Sequence, residues 1–225
     1  MEITVATYNV RHCADVGFDA SIIAKDIADI NADIAGLQEI DVFTARSNIN
    51  TPEILTSSSP YNCIFSKSID YQGGEYGHAI MSKLNILSHQ TILLDSFGHE
   101  QRVLSSNVID LNGTAVRFIN THLSYDVKHA RERQIQQLIE LTSDSMPYII
   151  TGDFNTDDKA ELMPLVMHGA TLVNCFDREY KSFIPTQTAI DNIAFSKHFT
   201  LVESGMSNDI HSDHKMIWAK LQFEN

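Results

Sequence analysis

The chain begins with a period of two: Ile3, Val5 and Thr7 alternate with Thr4, Ala6 and Tyr8. That alternation gives an extended chain two unlike faces and predicts a strand over residues 2–9. The period then lengthens. Ile22, Ile23, Ile27 and Ile30 fall along one face of a helix that Asp19 or Ser21 is placed to cap, and an apolar run at 33–39 predicts a second strand. Residues 41–60 are polar and rich in Ser, Thr and Asn, which reads as loops around a short helix near Thr51 to Leu55. Strand-like runs follow at 61–66, 78–83 and 86–94, with Gly73-Gly74 in the loop that separates them.

In the segment 102–122, two β-rich runs flank Asn112-Gly113, a pair suited to the positive φ angles of a tight hairpin turn. Asp126 is expected to open a helix with Val127, Ile135, Leu138, Ile139 and Leu141 on its apolar side and Lys128, Arg131, Glu132 and Arg133 in solvent. A strand at 148–152, a helix near 158–167 and strands around 190–196, 200–205 and 215–222 complete the pattern. Strands outnumber helices, and both hairpins and crossovers are present. A single mixed sheet covered on one side would leave strand faces wet, so the expectation is an α/β fold: a four-layer α/β sandwich, two mixed β-sheets packed face to face and flanked by helices.

No repeat or low-complexity linker interrupts the pattern, and 225 residues with 43% hydrophobic content suit one catalytic domain spanning residues 1–225. The net charge of −13 argues against a broad basic face for gripping a polyanion, which makes duplex DNA a poor substrate candidate. Cys13, Cys63 and Cys175 are odd in number and widely spaced, with no CxxC, so neither a disulfide framework nor a zinc site is suggested. The first residues carry no basic leader, and no segment approaches the roughly 20 apolar residues of a membrane span. A soluble, cytoplasmic protein with no transmembrane segment is expected; oligomeric state is left open.

Chemistry concentrates where strands stop. Glu39 closes the run from Asp33, beside Asn9 at the end of the first strand, and hard oxygens of this kind suit Mg²⁺ or Mn²⁺. Asp153 and Asn155 follow Tyr148-Ile149-Ile150-Thr151-Gly152; two residues apart, they share a side if the extended conformation persists. A carboxylate beside a carboxamide can orient a water for in-line attack on phosphorus, although Gly-Asp and Asn-Thr-Asp are also ordinary turn vocabulary. Asp191 opens the run Ile193-Ala194-Phe195; accepting a hydrogen bond from His214, it would hold that ring in one tautomer and favour its charged form. His122 sits immediately after the hairpin's second strand, where it can donate to a phosphate oxygen. Arg46, Arg102 and Tyr76 are further anion-binding candidates, each by itself no better than a solvated loop residue. Of the ten histidines, His12, His78, His89, His99, His129, His168, His198 and His211 are read as surface or core residues.

The ordered pieces Thr7-Tyr8-Asn9-Val10-Arg11, Leu37-Gln38-Glu39, Tyr76-Gly77-His78-Ala79-Ile80-Met81-Ser82-Lys83, Asn120-Thr121-His122-Leu123, Gly152-Asp153-Phe154-Asn155, Ile190-Asp191-Asn192-Ile193 and Ser212-Asp213-His214 resemble the endonuclease/exonuclease/phosphatase superfamily from residue 3 to about 220. Leu37 to Asp41 with Arg46-Ser47 is similar to its compact bacterial metal-dependent hydrolase branch. The resemblance implies two stacked sheets flanked by helices. It also implies Glu39 as principal metal ligand with Asn9 and Asp213 near the metal, and Asp153 orienting or deprotonating the attacking water with help from Asn155. His214, paired with Asp191, and His122 would hold the phosphate, with Tyr76, Arg46 and Arg102 as substrate contacts. The chain departs from the pattern in three places. Arg11 stands where base-excision members have an acid, Asp41 where they have a Lys, and His78 where the bacterial branch commonly has an Asn.

The reading that follows is a Mg²⁺- or Mn²⁺-dependent phosphodiesterase or phosphatase acting on a small or lipid-derived phosphoester. The alternatives are a nuclease on single-stranded or damaged nucleic acid, for which Lys128 to Arg133 is the basic stretch, and a binding module that kept the fold without turnover.

Overall fold

The computed structural model describes residues 1–224. Its strands are β1 (Glu2–Asn9), β2 (Ile34–Val42), β3 (Asn62–Tyr71), β4 (Gly74–Ser82), β5 (Ile86–Leu93), β6 (Val103–Leu111), β7 (Thr114–His122), β8 (Tyr148–Asp153), β9 (Thr171–Leu172), β10 (Asp191–Phe195), β11 (Phe199–Met206) and β12 (Ile217–Phe223). Its α-helices are α1 (Ala20–Asp29), α2 (Thr51–Ser57), α3 (Lys128–Leu141) and α4 (Lys159–Met167). The strands form two six-stranded mixed sheets, ordered β11-β12-β1-β2-β4-β3 and β5-β6-β7-β8-β10-β9. Each sheet has one parallel pair at its centre, β1 with β2 and β7 with β8, joined through α1 and α3 respectively. The rest of the ladder is antiparallel.

Three apolar layers hold this arrangement. Ile3, Val5, Ile34, Phe118, Ile149 and Ile193 meet between the sheets. Ala6, Tyr8 and Leu37 on the outer face of the first sheet receive Ile23 and Ile27 of α1 and Leu55 of α2. Ile119, Ile150 and Phe154 receive Ile135 and Leu138 of α3 and Leu162 and Leu165 of α4. The result is the four-layer sandwich that the mixture of periods predicts.

The inward faces change character along each strand. In β1, Ile3 and Val5 are followed at the same parity by Thr7 and Asn9; in β7, Val116 and Phe118 by Asn120 and His122; in β8, Ile149 by Thr151 and Asp153. Apolar residues at one end of the sandwich thus give way to buried polar ones at the other, because side chains two apart share a face. A hydrogen-bonded layer lies between them. Asn120 donates Nδ2 to the carbonyls of Leu37 and Ala79 in the opposite sheet, at 3.1 and 2.9 Å, while its Oδ1 accepts from Gln38 Nε2 at 2.7 Å and from Thr151 Oγ1 at 3.3 Å. The backbone there needs a glycine: a Cβ on Gly36 would stand 2.2 Å from Thr151 Oγ1.

Some elements differ from the sequence reading. Helix α3 starts at Lys128 after Val127, not at Asp126, whose carboxylate accepts from Ser124 Oγ instead. Arg131 and Arg133 are not free in solvent: Arg131 forks onto the buried Glu161, and Arg133 pairs with Asp95 and Glu140. The runs at 61–66 and 78–83 belong to one long hairpin, β3 and β4, because the polar residues between them alternate on a half-exposed edge. Asp19 is the residue that caps α1, accepting from Ser21 N at 3.0 Å.

Candidate active site

The polar ends of the inward faces converge on one cleft. Glu39 reaches it by a local irregularity. Ile34, Gly36 and Gln38 share the inward face, so strict alternation would turn Glu39 toward the helices. Between Leu37, opposite Ala79, and Ile40, opposite Gly77, β2 carries one extra residue, and Glu39 takes φ +60°. This bulge rotates the carboxylate to the inner face, at the cost of a left-handed backbone unusual for a residue with a side chain. Strain of that kind gathers at functional positions.

Asn9 ties the two sheets together. Its Nδ2 donates to Glu39 Oε1 at 3.1 Å and to Asp153 Oδ2 at 3.0 Å, and its Oδ1 accepts from the Arg11 amide at 3.0 Å. Burial opposes the charge on Glu39, but the His12 ring, His122, the Asn9 amide and His214 hold its carboxyl down at about 2. His12 Nδ1 stands 3.6 Å from Glu39 Oε2, beyond ordinary hydrogen-bond length. Asp213, half-buried on the far side, faces Arg11 Nε at 3.5 Å. Its carboxyl is pushed up by burial, with His214 and Arg11 opposing and Glu39 reinforcing the rise.

Asp153 ends β8 with its carboxylate almost completely enclosed. Burial first, and the Asp191 charge second, raise its pKa above the usual carboxylate range against the pull of His214, Asn9 and the Asn155 amide. His122 Nε2 is 3.5 Å from Asp153 Oδ2, and His214 Nε2 is 3.8 Å from the same oxygen. The two rings differ in state. Burial and the neighbouring Arg102 drive the His122 pKa well below 6.5, leaving it neutral. For His214, burial is outweighed by Asp191, Asp153 and Asp213, which raise the pKa to about 10. Asp191 accepts from His214 Nδ1 at 2.8 Å and from Ser182 Oγ at 2.6 Å, and the Phe183 ring packs on the imidazole with centroids 4.7 Å apart.

The cleft above these groups encloses about 290 Å³ and is lined by Glu39, Tyr76, Arg102, His122, Asp153, Asn155, Asp213 and His214, among others. Nearly every residue singled out in the sequence therefore meets here: Asn9 and Asp191 lie just behind the lining, bonded to it. Asn155 arrives by a different route from the one expected. The strand stops at Asp153, and Asn155 has φ +53° in a turn closed by its amide on Asp153 Oδ1, 2.9 Å away, with Nδ2 given to the Leu123 carbonyl. Arg46 stands apart. Its guanidinium forks onto the buried Asp41 at 2.7 and 2.9 Å and lies over Tyr71 and Tyr76, so it borders only a side lobe of about 90 Å³. Another cleft, about 340 Å³, lies at Tyr148, the opposite end of β8 from Asp153, and holds none of these groups.

Two groupings can serve a cation. Asp153, Asp191 and His214 present ligand-type atoms within 4.8 Å of one another, a buried set of the right chemistry. Its Asp191 and His214 members, however, are already joined by a hydrogen bond. Glu39 and Asp213, two carboxylates that line the accessible cleft, are a second set suited to a hard ion, Glu39 adding to the rise that burial produces in the Asp213 pKa. Sequence reasoning missed His12, Ser182, Phe183 and Tyr125. His12 sits only three residues beyond Asn9 but carries no periodic signal, and the other three come from loops whose partners are far apart in the chain.

A model described as the Endonuclease/Exonuclease/phosphatase family matches residues 6–214. No curated protein matches the chain. Among solved structures, an endonuclease/exonuclease/phosphatase from Beutenbergia cavernae DSM 12333 superposes with TM-score 0.85 at 16% identity, covering 100% of this chain and 72% of its own. A mannosyl-6-phosphatase from Bacteroides thetaiotaomicron VPI-5482 gives TM-score 0.80 at 22% identity, over 98% of this chain and 100% of that one. The human Nocturnin catalytic domain with bound sulfate gives 0.78 at 19%, over 99% and 93%. At these identities the likeness is one of fold.

Proposed function

The chain belongs to the endonuclease/exonuclease/phosphatase family of phosphoester hydrolases, and from that premise we propose that it is a divalent-cation-dependent phosphodiesterase on a small or lipid-derived substrate. The observation that carries this reading is the convergence of Glu39, Asp153, His122 and His214 on one confined cleft, linked through Asn9 and Asp191.

The residues divide the work. Glu39 and Asp213, with Asn9 beside them, would hold Mg²⁺ or Mn²⁺, which when bound supplies Lewis-acid polarisation of a phosphoryl oxygen. Asp153, its affinity for a proton raised by burial, is suited to orient the attacking water and accept its proton, and Asn9 and the Asn155 amide fix its two oxygens. His214, kept cationic by Asp191, faces the charge that gathers on the phosphoryl group, where a preorganised donor counts most. Neutral His122 offers one N–H to a phosphoryl oxygen, and Arg102 and Tyr76 line the wall beside it.

Nucleic acid is the second reading, motivated by the family. The structure offers it little grip: Lys128, Arg131 and Arg133 each already pair with carboxylates of Asp158, Glu161, Asp95 or Glu140. The likeness to a mannosyl-6-phosphatase makes a sugar phosphomonoester a further substrate to compare. All three cysteines are free, which supports a proposed cytoplasmic setting. No helix among the described residues is long and apolar enough to cross a membrane. The test is turnover of small phosphodiesters, phosphomonoesters and oligonucleotides at equal enzyme, with and without chelator. Hydrolysis that ignores EDTA and survives Asp153→Ala defeats the proposal; degradation of oligonucleotides alone replaces it with the nuclease.

A further inference from the structure

Arg11, His12 and Cys13 form three successive non-glycine residues with positive φ, at 44°, 44° and 61°. The turn is firmly held. The Cys13 amide donates to the Val10 carbonyl at 2.8 Å, Phe18 N donates to the Cys13 carbonyl at 2.7 Å, and the Cys13 side chain is wholly buried. Arg11 is anchored on both sides, its amide on Asn9 Oδ1 and its guanidinium between Asp15 and Asp213. What this left-handed turn delivers to Glu39 is the His12 ring, stacked near Phe18, with Nδ1 3.6 Å from Glu39 Oε2. That nitrogen is buried and has no hydrogen-bond partner.

A buried, unpaired ring nitrogen needs a physical reason, because leaving such an atom unsatisfied is costly. The separation from Glu39 supplies one. At 3.6 Å the pair is too long for a hydrogen bond, whereas two donor atoms each about 2.1 Å from a shared ion stand roughly 3.0–4.2 Å apart for bond angles from a right angle to a straight line. We infer that His12 Nδ1 is an additional ligand to the divalent cation held at Glu39. The inference rests on the cation dependence proposed above and gives an otherwise all-oxygen site one imidazole donor. Nitrogen ligation suits transition ions better than Mg²⁺, so the site prefers Mn²⁺.

The test is binding of Mn²⁺ alone, followed by its paramagnetic resonance in the wild-type chain and in His12→Asn. Asn tolerates the left-handed backbone, so the variant keeps the turn, and matching melting curves verify that. The expected result is a nitrogen hyperfine coupling on bound Mn²⁺ that changes frequency when histidine is ¹⁵N-labelled and disappears in His12→Asn. Mn²⁺ affinity should fall at least about 10-fold in the variant, with a smaller change for Mg²⁺ measured by competition. Mn²⁺ bound in a Glu39-dependent manner without any coupling or affinity that responds to His12 overturns the inference and leaves the proposed hydrolase intact. A wild-type chain that binds no divalent cation overturns both.

Discussion

His214 and Asp191 approach each other from opposite sheets: His214 precedes β12 of the first, Asp191 opens β10 of the second, and Nδ1 lies 2.8 Å from Oδ2. The pair fixes the ring's charge. With its pKa raised from 6.5 to about 10 in the folded protein, the interaction contributes fully below pH 6.5 and is lost as the pH climbs through 10. The alkaline limb of the rate profile should therefore fall near pH 10, and Asp191→Asn should move the imidazole titration, followed by NMR, back toward the free value.

Replacing His214 by Gln removes the cationic donor but keeps a polar side chain in the cleft. The turnover number should fall by about 10²–10⁴ with a much smaller change in KM, because the interaction strengthens only as charge develops. Steady-state kinetics on the best phosphoester substrate measures both constants.

Glu39→Gln preserves the bulge and the side-chain volume while removing a negative charge. The fold should survive, with an unchanged far-ultraviolet spectrum, and calorimetric titration with Mn²⁺ should lose its binding isotherm along with chelator-sensitive turnover.

Gly36→Ala probes the seam between the sheets. The added methyl would meet Thr151 Oγ1 at 2.2 Å and Asn120 Oδ1 at 2.4 Å, both members of a buried hydrogen-bond layer that cannot retreat cheaply. Stability measured by denaturant unfolding should drop by about 1–3 kcal/mol or more, and activity should drop with it, since the same layer supports the cleft floor.

His211 Nδ1 lies 2.8 Å from Asp26 Oδ2 of α1, fastening the segment that carries Asp213 and His214 to a helix 185 residues away in the chain. His211→Ala should lower turnover several-fold while leaving the melting temperature within a few degrees; an unaltered rate would show that Ser212 Oγ on the Asn9 carbonyl is anchor enough.

Much of this was legible before the structure. Apolar alternation ending in Asn9, His122 or Asp153 marks both the strand and the place where it stops, so strand ends and site residues are read by one signal. Glu39 shows the limit: its parity in the run from Ile34 places it on the helix side, and only a bulge of one residue returns it to the cleft. Residue type alone did not show that Arg46 forks onto Asp41, five residues back, and the reading of Asp126 as the residue that opens the helix gave way to Val127, which precedes Lys128. His12 escaped because three left-handed residues in succession have no periodicity to detect.

Strand β12 inserts between β11 and β1, and the loop leading into it delivers Asp213 and His214. Until that segment docks, β1 presents a bare row of amides and carbonyls, and the cleft lacks its imidazolium. The same short segment therefore gives β1 its second neighbour and the cleft its imidazole, so that losing the β1–β12 pairing would cost the chain both at once.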